Sequence, residues 1–464
     1  MRIAVLNGSP KGRQSVTMQY VQYIEKRFPQ HRFTYIDISE KIHRLEKNEH
    51  AFREAIDVIR QADGILWAFP LYYFLVPSQY KRFIELIGER QVRNAFRNKF
   101  AAVLSTSIHI HDMMAHQYMN AICDDLHMKY TGGFSAAMYD LLKEEKRQQL
   151  CLFAQAFLLA ISSRIPTTRN FTPVMGSSRE YKPALVKDFL LTRGRKMLIV
   201  TDAGPEQRNL NWMVTRLQDS FFGYIETVNL RQLDIKGGCL GCLQCAYNNV
   251  CVYTKSDGFV DFFNRKVRPA DILVLAGAVR ERHLSSLWKC FLDRTFFNNH
   301  IPSLTGKQVG FLISGPLGQL PGLRQYLEAY VEIQQANLAG IVSDEYPSAE
   351  IDALISLMAD QLVRYSLQGY RKPPSYLEVG VRKILRDQLW KNMRFPFRSD
   401  HRYFKKEGLY DFPKRKIRDD VKNAFLFTMT SIPFIRKEIY ARQMKPGTIE
   451  PLMKVVAAAG PEKN

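Results

Sequence analysis

Acidic side chains are scarce in this sequence. Its 464 residues hold 45 Asp and Glu against 66 Lys and Arg, a formal net charge of +21. That imbalance predicts attraction to an anionic partner and leaves its identity open. Long apolar runs are missing as well. No stretch approaches the ~18 apolar residues of a membrane span. The opening MRIAVLNGSP is too short an apolar run for a signal-peptide core. Both absences set the expectation of a cytoplasmic protein. Cysteine is sparse, seven in all, yet four of the seven fall within Cys239–Cys251. In a reducing compartment disulfides are not expected, and clustered thiols more often hold metal. What is plentiful is apolar content, 46%, enough for ordinary globular cores, in a length that suggests two to four domains.

The chain contains its own duplicate. ADGILWAFPLYYFLVPSQYKRFIELI from Ala62 aligns without a gap on ADILVLAGAVRERHLSSLWKCFLDRT from Ala270, at an offset of 208. Ala62/Ala270, Asp63/Asp271, Ala68/Ala276, Ser78/Ser286, Lys81/Lys289 and Phe83/Phe291 are identical, and Tyr80/Trp288 and Glu85/Asp293 are conservative. The register continues through Lys99/Lys307, Gln117/Gln325, Tyr118/Tyr326 and Gly132/Gly340. A long-period self-match is settled before any other question of fold. Nearer the start of each copy, IAVLNGSP at Ile3 matches LIVTDAGP at Leu198, an offset of 195. The second copy therefore carries an extra piece, and the cysteine segment is its natural content.

In each copy apolar runs alternate with helical patterns. In the first the runs are IAVLN, FTYIDI, GILWAF, FAAVLST and KYTGGF. This order predicts βαβ units around a parallel sheet covered on both faces, hence an α/β fold of two tandem flavodoxin-like doubly wound domains, with a basic, mainly helical C-terminal extension. The expected boundaries are residues 1–165, a linker at 166–194, a second domain at 195–370 and the extension at 371–464. Ligands in such folds bind at the carboxyl ends of the strands, near the switch point.

After the first run comes NGSPKGRQSVT. Gly8 and Gly12 permit close approach, Ser9, Ser15 and Thr17 offer hydroxyls, and Lys11 and Arg13 add positive charge at a helix N-terminus. The loop suits a phosphate; the alternative is a strand–helix turn with Ser and Thr as caps. The second copy has TDAGPEQRNLN instead, with Asp202 and Glu206, and such carboxylates repel a phosphate. A phosphate is therefore less expected in the second copy.

NGSPKGRQSVT together with FPLYYFLVPSQYKRFIELI resembles the two signatures of the NADPH-dependent FMN reductase and iron–sulfur flavoprotein superfamily, over about Met1–Ala137. The resemblance implies FMN, with its phosphate on Ser9, Lys11, Arg13, Ser15 and Thr17. Pro70, Leu71, Tyr72, Tyr73 and Phe74 would border the flavin, and Thr106, Ser107 and His109 would form a third wall.

The cysteine pattern is C-x2-C-x2-C-x5-C, Cys239, Cys242, Cys245 and Cys251, among Gly237, Gly238 and Gly241. Three thiols at intervals of three with a fourth nearby suit a [4Fe–4S] cluster of the ferredoxin kind. Structural zinc usually takes two separated pairs, and a redox or inert thiol set is the remaining reading. GGCLGCLQCAYNNVC resembles the compact motif of iron–sulfur flavoproteins, and that resemblance favours the cluster. Cys123, Cys151 and Cys290 read as core residues.

The span from Arg371 to the end has 22 Lys and Arg against 10 Asp and Glu, interleaved with aromatics. It suits an anionic membrane surface or other anionic partner, or a helical appendage packed on the domains, and it carries no nucleic-acid motif. The expected function is electron transfer between a [4Fe–4S] cluster and FMN, with NAD(P)H a further donor and a small molecule or protein at each end, in a chain able to form homo-oligomers. No side chain is assigned as catalytic. The rival readings are an NAD(P)H-dependent FMN or quinone reductase with structural zinc, and a non-enzymatic protein working through its basic tail.

Overall fold

The computed structural model describes residues 1–176, 179–187, 189–222, 225–413, 417–443, 446, 449–450 and 453. Parts of the expected linker and of the expected extension lie outside the described residues. The chain divides into two compact units, residues 1–407 and 408–464.

In the first half of the larger unit the order is β1 (Arg2–Asn7), α1 (Val16–Arg27), β2 (Arg32–Asp37), α2 (Ile42–Lys47), α3 (Glu49–Gln61), β3 (Gly64–Pro70), α4 (Ser78–Glu89), β4 (Phe100–Ser107), α5 (Asp112–Asp125), β5 (Lys129–Ala137) and α6 (Glu144–Ser162). All pairings are parallel, in the order β2-β1-β3-β4-β5. The second half runs β6 (Leu190–Leu191), β7 (Met197–Thr201), α7 (Arg208–Asp219), β8 (Phe221–Phe222), β9 (Glu226–Asn229), α8 (Cys245–Asn248), α9 (Phe259–Phe262), β10 (Ile272–Arg280), β11 (His283–Leu284), α10 (Ser286–Arg294), β12 (Gln308–Ser314), α11 (Pro321–Ile333), β13 (Asn337–Ser343) and α12 (Ser348–Gln368). Its sheet, β13-β12-β10-β7-β9, repeats the first strand for strand. This is the doubly wound flavodoxin-like order, twice. The central strands are apolar without alternation because both faces are covered: Ile65 to Phe69 and Ile272 to Ala276 are all buried.

The repeat reaches into irregular detail. Both sheets shift register at the same place, between Ala101 and Ala102 opposite β5 and between Val309 and Gly310 opposite β13, where Gly132 and Gly340 sit. Asp63 accepts the Arg2 N–H at 2.7 Å and Asp271 the Lys196 N–H at 2.9 Å. Pairing register also corrects the alignment of the first strands. Ile3 opposes Gly64 and Met197 opposes Ile272, so equivalent residues there are 194 apart, one fewer than the sequence match indicates. A strand buried on both faces has no polar alternation to fix its register.

The two halves meet across an approximate twofold built from the duplicated residues. In α4, Lys81 pairs with Glu85 at 3.1 Å and donates to Arg280 O at 2.7 Å. In α10, Lys289 pairs with Asp293 and donates to Tyr72 O at 2.8 Å. Asp293 accepts the Ser78 N–H at 2.8 Å, and Glu85 accepts the Ser286 N–H at 2.6 Å and the Ser286 hydroxyl at 2.5 Å. Each half thus caps the other's helix with a carboxylate. Arg282 reaches Asp125 at 2.5 and 2.7 Å and Thr172 O at 2.6 Å.

Linker residues join the core of the second half: Tyr181 is buried there, and its hydroxyl donates to Asp352 at 2.6 Å. The expected extension is split. Its first part, α13 (Tyr376–Gln388) and α14 (Arg398–Lys406), belongs to the larger unit, while α15 (Ile417–Thr430) and α16 (Pro433–Glu438) form the smaller one. Among the described residues no helix is long and apolar enough to cross a membrane.

Candidate functional site

The loop from β1 to α1 is shaped by its own short side chains. Asn7 is pinned to Asp37 at 3.0 Å and accepts the Ser9 N–H at 3.0 Å. The Lys11 N–H turns to Ser9 Oγ at 3.3 Å, and the Gly12 N–H to Ser9 O at 3.1 Å. Gly12 has φ +61°, a left-handed backbone that favours glycine, while the Glu40 carboxylate 2.5 Å from where a Cβ would stand is a mobile side-chain end that can give way. Ser15 caps α1, accepting the Met18 N–H at 3.3 Å. Val16 and Thr17 present first-turn N–H groups at this mouth. The Thr17 hydroxyl meets the Thr106 hydroxyl at 2.6 Å, tying the loop to the end of β4. Arg13 is drawn off to the sheet edge, 3.4 Å from Asp37 with its guanidinium 5.0 Å from the Tyr35 ring centroid. Ser9, Lys11, Ser15, Thr17 and Thr106 are thus gathered, and Arg13 is committed elsewhere.

The segment after β3 is a two-residue turn. Tyr72 and Leu75 exchange backbone hydrogen bonds at 2.9 and 3.0 Å, with Tyr73 at φ 38° and Phe74 at φ 63°. Left-handed backbone is costly for aromatic residues and persists only where the surroundings hold it. Here the rings are held mainly from the second half: Tyr73 packs on Phe296 and Tyr330 (centroids 6.3 and 6.1 Å), and Phe74 on Tyr326 (6.0 Å) and on His111 of its own half (4.8 Å). The turn therefore divides the expected flavin wall. Pro70, opposite Thr106 in the sheet, Leu71, whose N–H bonds Thr106 O at 3.0 Å, and Tyr72 stay beside the anion loop. Tyr73 and Phe74 pack into the contact between halves.

Beyond β4, Ser107 Oγ accepts the His109 N–H at 2.8 Å. His109 Nδ1 lies 2.9 Å from Asp112, which also accepts from Ser135 at 2.5 Å. The bond from His109 holds the Asp112 carboxyl down at about 2, and Asp112 in turn raises His109. His109 and His111 both have positive φ, 62° and 52°.

The cysteine segment of the second half lies against these elements of the first. A Cβ on Gly241 (φ +62°) would overlap the Tyr72 hydroxyl and come within 3.3 Å of Lys11 Cε. Gln79 Nε2 donates to Cys239 O at 3.1 Å. The segment's two ends are tied by Arg294, which sequence reasoning missed. Arg294 donates to Gly237 O at 2.9 Å and to Asp257 at 2.7 and 2.9 Å, and its guanidinium sits 4.2 Å from the Tyr253 ring. Burial alone would raise Asp257, but the Arg294 bonds outweigh it and hold the carboxyl below its ordinary value. The outer side is clamped by α14: Ser399 donates to Ala246 O at 3.1 Å, Arg402 to Tyr247 O at 2.7 Å, and Asp400 meets His300 at 2.6 Å.

All seven cysteines are free thiols; Cys245 is buried, Cys242 exposed, and Cys239 and Cys251 lie between. Burial pushes Cys239 and Cys245 up to about 12, and each is further raised by neighbouring cysteines of the motif. The Gly241 N–H donates to Cys239 Sγ at 3.4 Å. Among the described residues no three His, Cys, Asp or Glu side chains are set closely enough to hold a metal ion. The donor set, four soft thiols on one short segment with a backbone N–H already aimed at a sulfur, fits a cluster in its chemistry.

The equivalent loop of the second half has the opposite charge. Asp202 is buried, raised by that burial, and accepts from Ser285. The Glu206 carboxylate lies over Gly204, 3.3 Å from Arg231 and 3.6 Å from Arg280. Among the described residues, the loop of the first half combines hydroxyls with lysine where that of the second half carries carboxylates.

Residues 1–139 match the family model of NADPH-dependent FMN reductase. Among solved structures, the chain is similar to an NADH:FMN oxidoreductase in its apo form, at 22% identity over 36% of this chain and 93% of that one, with a TM-score of 0.31. It is also similar to general stress protein 14 of Treponema denticola in complex with FMN (14%, 35% and 98%, 0.27). A third is the flavoenzyme NAD(P)H:(acceptor) oxidoreductase of Paracoccus denitrificans (15%, 34% and 97%, 0.26). No curated protein sequence matches the chain.

Proposed function

We propose that this chain, whose residues 1–139 carry an NADPH-dependent FMN reductase domain, is an FMN-dependent oxidoreductase in which Cys239, Cys242, Cys245 and Cys251 hold a [4Fe–4S] cluster in electronic contact with the flavin. One observation carries the reading: the cysteine segment of the half without an anion loop is laid on Lys11 and Tyr72 of the half that has one. Each half lacks what the other supplies.

When bound, the flavin supplies two-electron chemistry separable into single electrons, and the cluster supplies one-electron storage. The chain's own residues bind and orient. Ser9, Ser15 and Thr17, with the first-turn N–H groups of α1 and the Lys11 ammonium, would hold the phosphate. Pro70, Leu71, Tyr72, Thr106 and Ser107 would border the ring. Arg294 and α14 keep the thiols at the Tyr72 side. No side chain is needed as acid or base. NAD(P)H as donor, a small-molecule or protein acceptor and a cytoplasmic setting belong to the same proposal, and the free thiols are consistent with that setting.

Anaerobic purification tests it. Iron and sulfide near four per chain, with one FMN, are expected, and Cys242→Ser should abolish the cluster absorbance while retaining FMN. Iron-free protein loaded with zinc overturns the cluster; absence of bound FMN under saturating cofactor overturns the flavin site.

A further inference from the structure

The smaller unit has an unusual surface. The side chains described from Asp420 to Thr428 on α15 are all exposed, and they include Val421, Phe425, Leu426 and Phe427. Ile432 precedes α16, Phe434 lies on it and Tyr440 in the helical turn after it, with Phe427 at 72% and Phe434 at 79% exposure. Monomeric soluble surfaces scatter such residues singly, whereas a run of this kind marks a binding surface. Beside it lies a hollow of about 480 Å³ lined by Pro433, Arg436, Lys437 and Tyr440. Two cations and an aromatic flank a space large enough for a phosphate-bearing headgroup. Residues 408–464 hold 11 Lys and Arg against 6 Asp and Glu, so the unit is cationic.

We propose that α15 and α16 lie on the surface of an anionic phospholipid bilayer. Val421 and Phe425, one turn apart on the same face of α15, and Phe434 on α16 enter the headgroup–acyl boundary, and Arg436 and Lys437 take lipid phosphate. Neither helix is long or apolar enough to span, so the unit rests on the membrane rather than crossing it. The aliphatic members of the patch decide against nucleic acid. Val421, Leu426 and Ile432 gain nothing from base stacking, whereas each methylene moved into acyl chains contributes favourably. Their exposure likewise decides against an acidic protein held through charges alone.

The full chain is sedimented with vesicles of phosphatidylglycerol and, separately, of phosphatidylcholine. Binding to the anionic vesicles at least about tenfold tighter, weakened by added salt, is expected. A double change of Phe425 and Phe434 to Ser should lower that binding by at least about tenfold. Arg436→Glu with Lys437→Glu should lower it several-fold and flatten the salt dependence. Equal binding to both vesicles, or no binding to either, overturns the proposal. So does unchanged binding by the serine variant, which would make the contact purely electrostatic. A chain that ignores vesicles and retains single-stranded DNA or an acidic protein assigns the surface to that partner instead. If the serine variant fails to fold, the lipid comparison and the charge-reversed variant still decide.

Discussion

Asp293→Ala strikes the contact between halves where it is least able to adapt. The change removes the partner of the Lys289 ammonium and the acceptor of the Ser78 N–H that starts α4. Both Lys289 and Asp293 are fully buried, so no water replaces the lost oxygen atoms. One-sided removal from a buried pair costs about 3–5 kcal/mol, because the remaining charge is uncompensated. Burial already pushes Lys289 below its ordinary value against the pull of Asp293. Deprotonation therefore limits the penalty, and a loss of about 3–5 kcal/mol covers the orphaned N–H as well. Lys289→Met with Asp293→Leu deletes both charges together and should cost about 2 kcal/mol less than the sum of the separate changes. Urea unfolding followed by tryptophan fluorescence reads this directly, since Trp67 and Trp288 are buried one in each half. An Asp293→Ala protein within about 1 kcal/mol of the parent, or strictly additive double replacement, refutes the assignment of this pair as the hinge of the interface.

Arg294→Met should free both ends of the cysteine segment and leave Asp257 buried without its partner, a loss of about 3–5 kcal/mol. The same change should make Cys239 and Cys245 react with iodoacetamide at least tenfold faster in metal-free protein, and unchanged alkylation would show that Arg294 does not order the segment. Asp112→Asn removes the charge that raises His109, so its imidazole titration should move down toward the ordinary value near 6.5. In the parent, the Asp112 contribution is present above the ordinary carboxylate value of 3.8 and is lost as pH falls toward about 2. The His109 contribution is full below 6.5 and fades above its raised value. The pair therefore stabilises between those limits, by under about 1 kcal/mol given its exposure. NMR titration of the histidines checks it, and identical His109 curves in parent and variant contradict the pairing.

Much of this architecture is legible in the sequence. Ten strands in two sheets follow from apolar runs bounded by turn residues, and the offset of 208 named the residues that became the reciprocal interface: Ser78, Lys81 and Glu85 with Ser286, Lys289 and Asp293. The match of Gly132 to Gly340 marked a shared irregularity of the sheets. What escaped was decided by tertiary partners. The one-residue slip in the first strands arises because Ile3 to Leu6 and Met197 to Val200 are buried on both faces. The packing of Tyr73 and Phe74 between halves rests on a positive φ that cannot be seen in a sequence of aromatics. The clamp of α14 on the thiol segment was hidden in a charged stretch whose Asp400 is fully buried. Arg294 was hidden for the same reason: a lone arginine at a helix end normally points to water.

A symmetric homodimer must accept every substitution twice, once on each side of its axis. Joining the two faces in one polypeptide lifts that constraint. Glu206 can stand in one loop while Lys11 stands in the other, and Leu75 can occupy in one half the position that His283 holds in the other, without a second copy of either change. The covalent tether also makes encounter of the faces independent of how much protein a cell holds, so each site can drift toward its own task while the pairing that unites them is inherited intact.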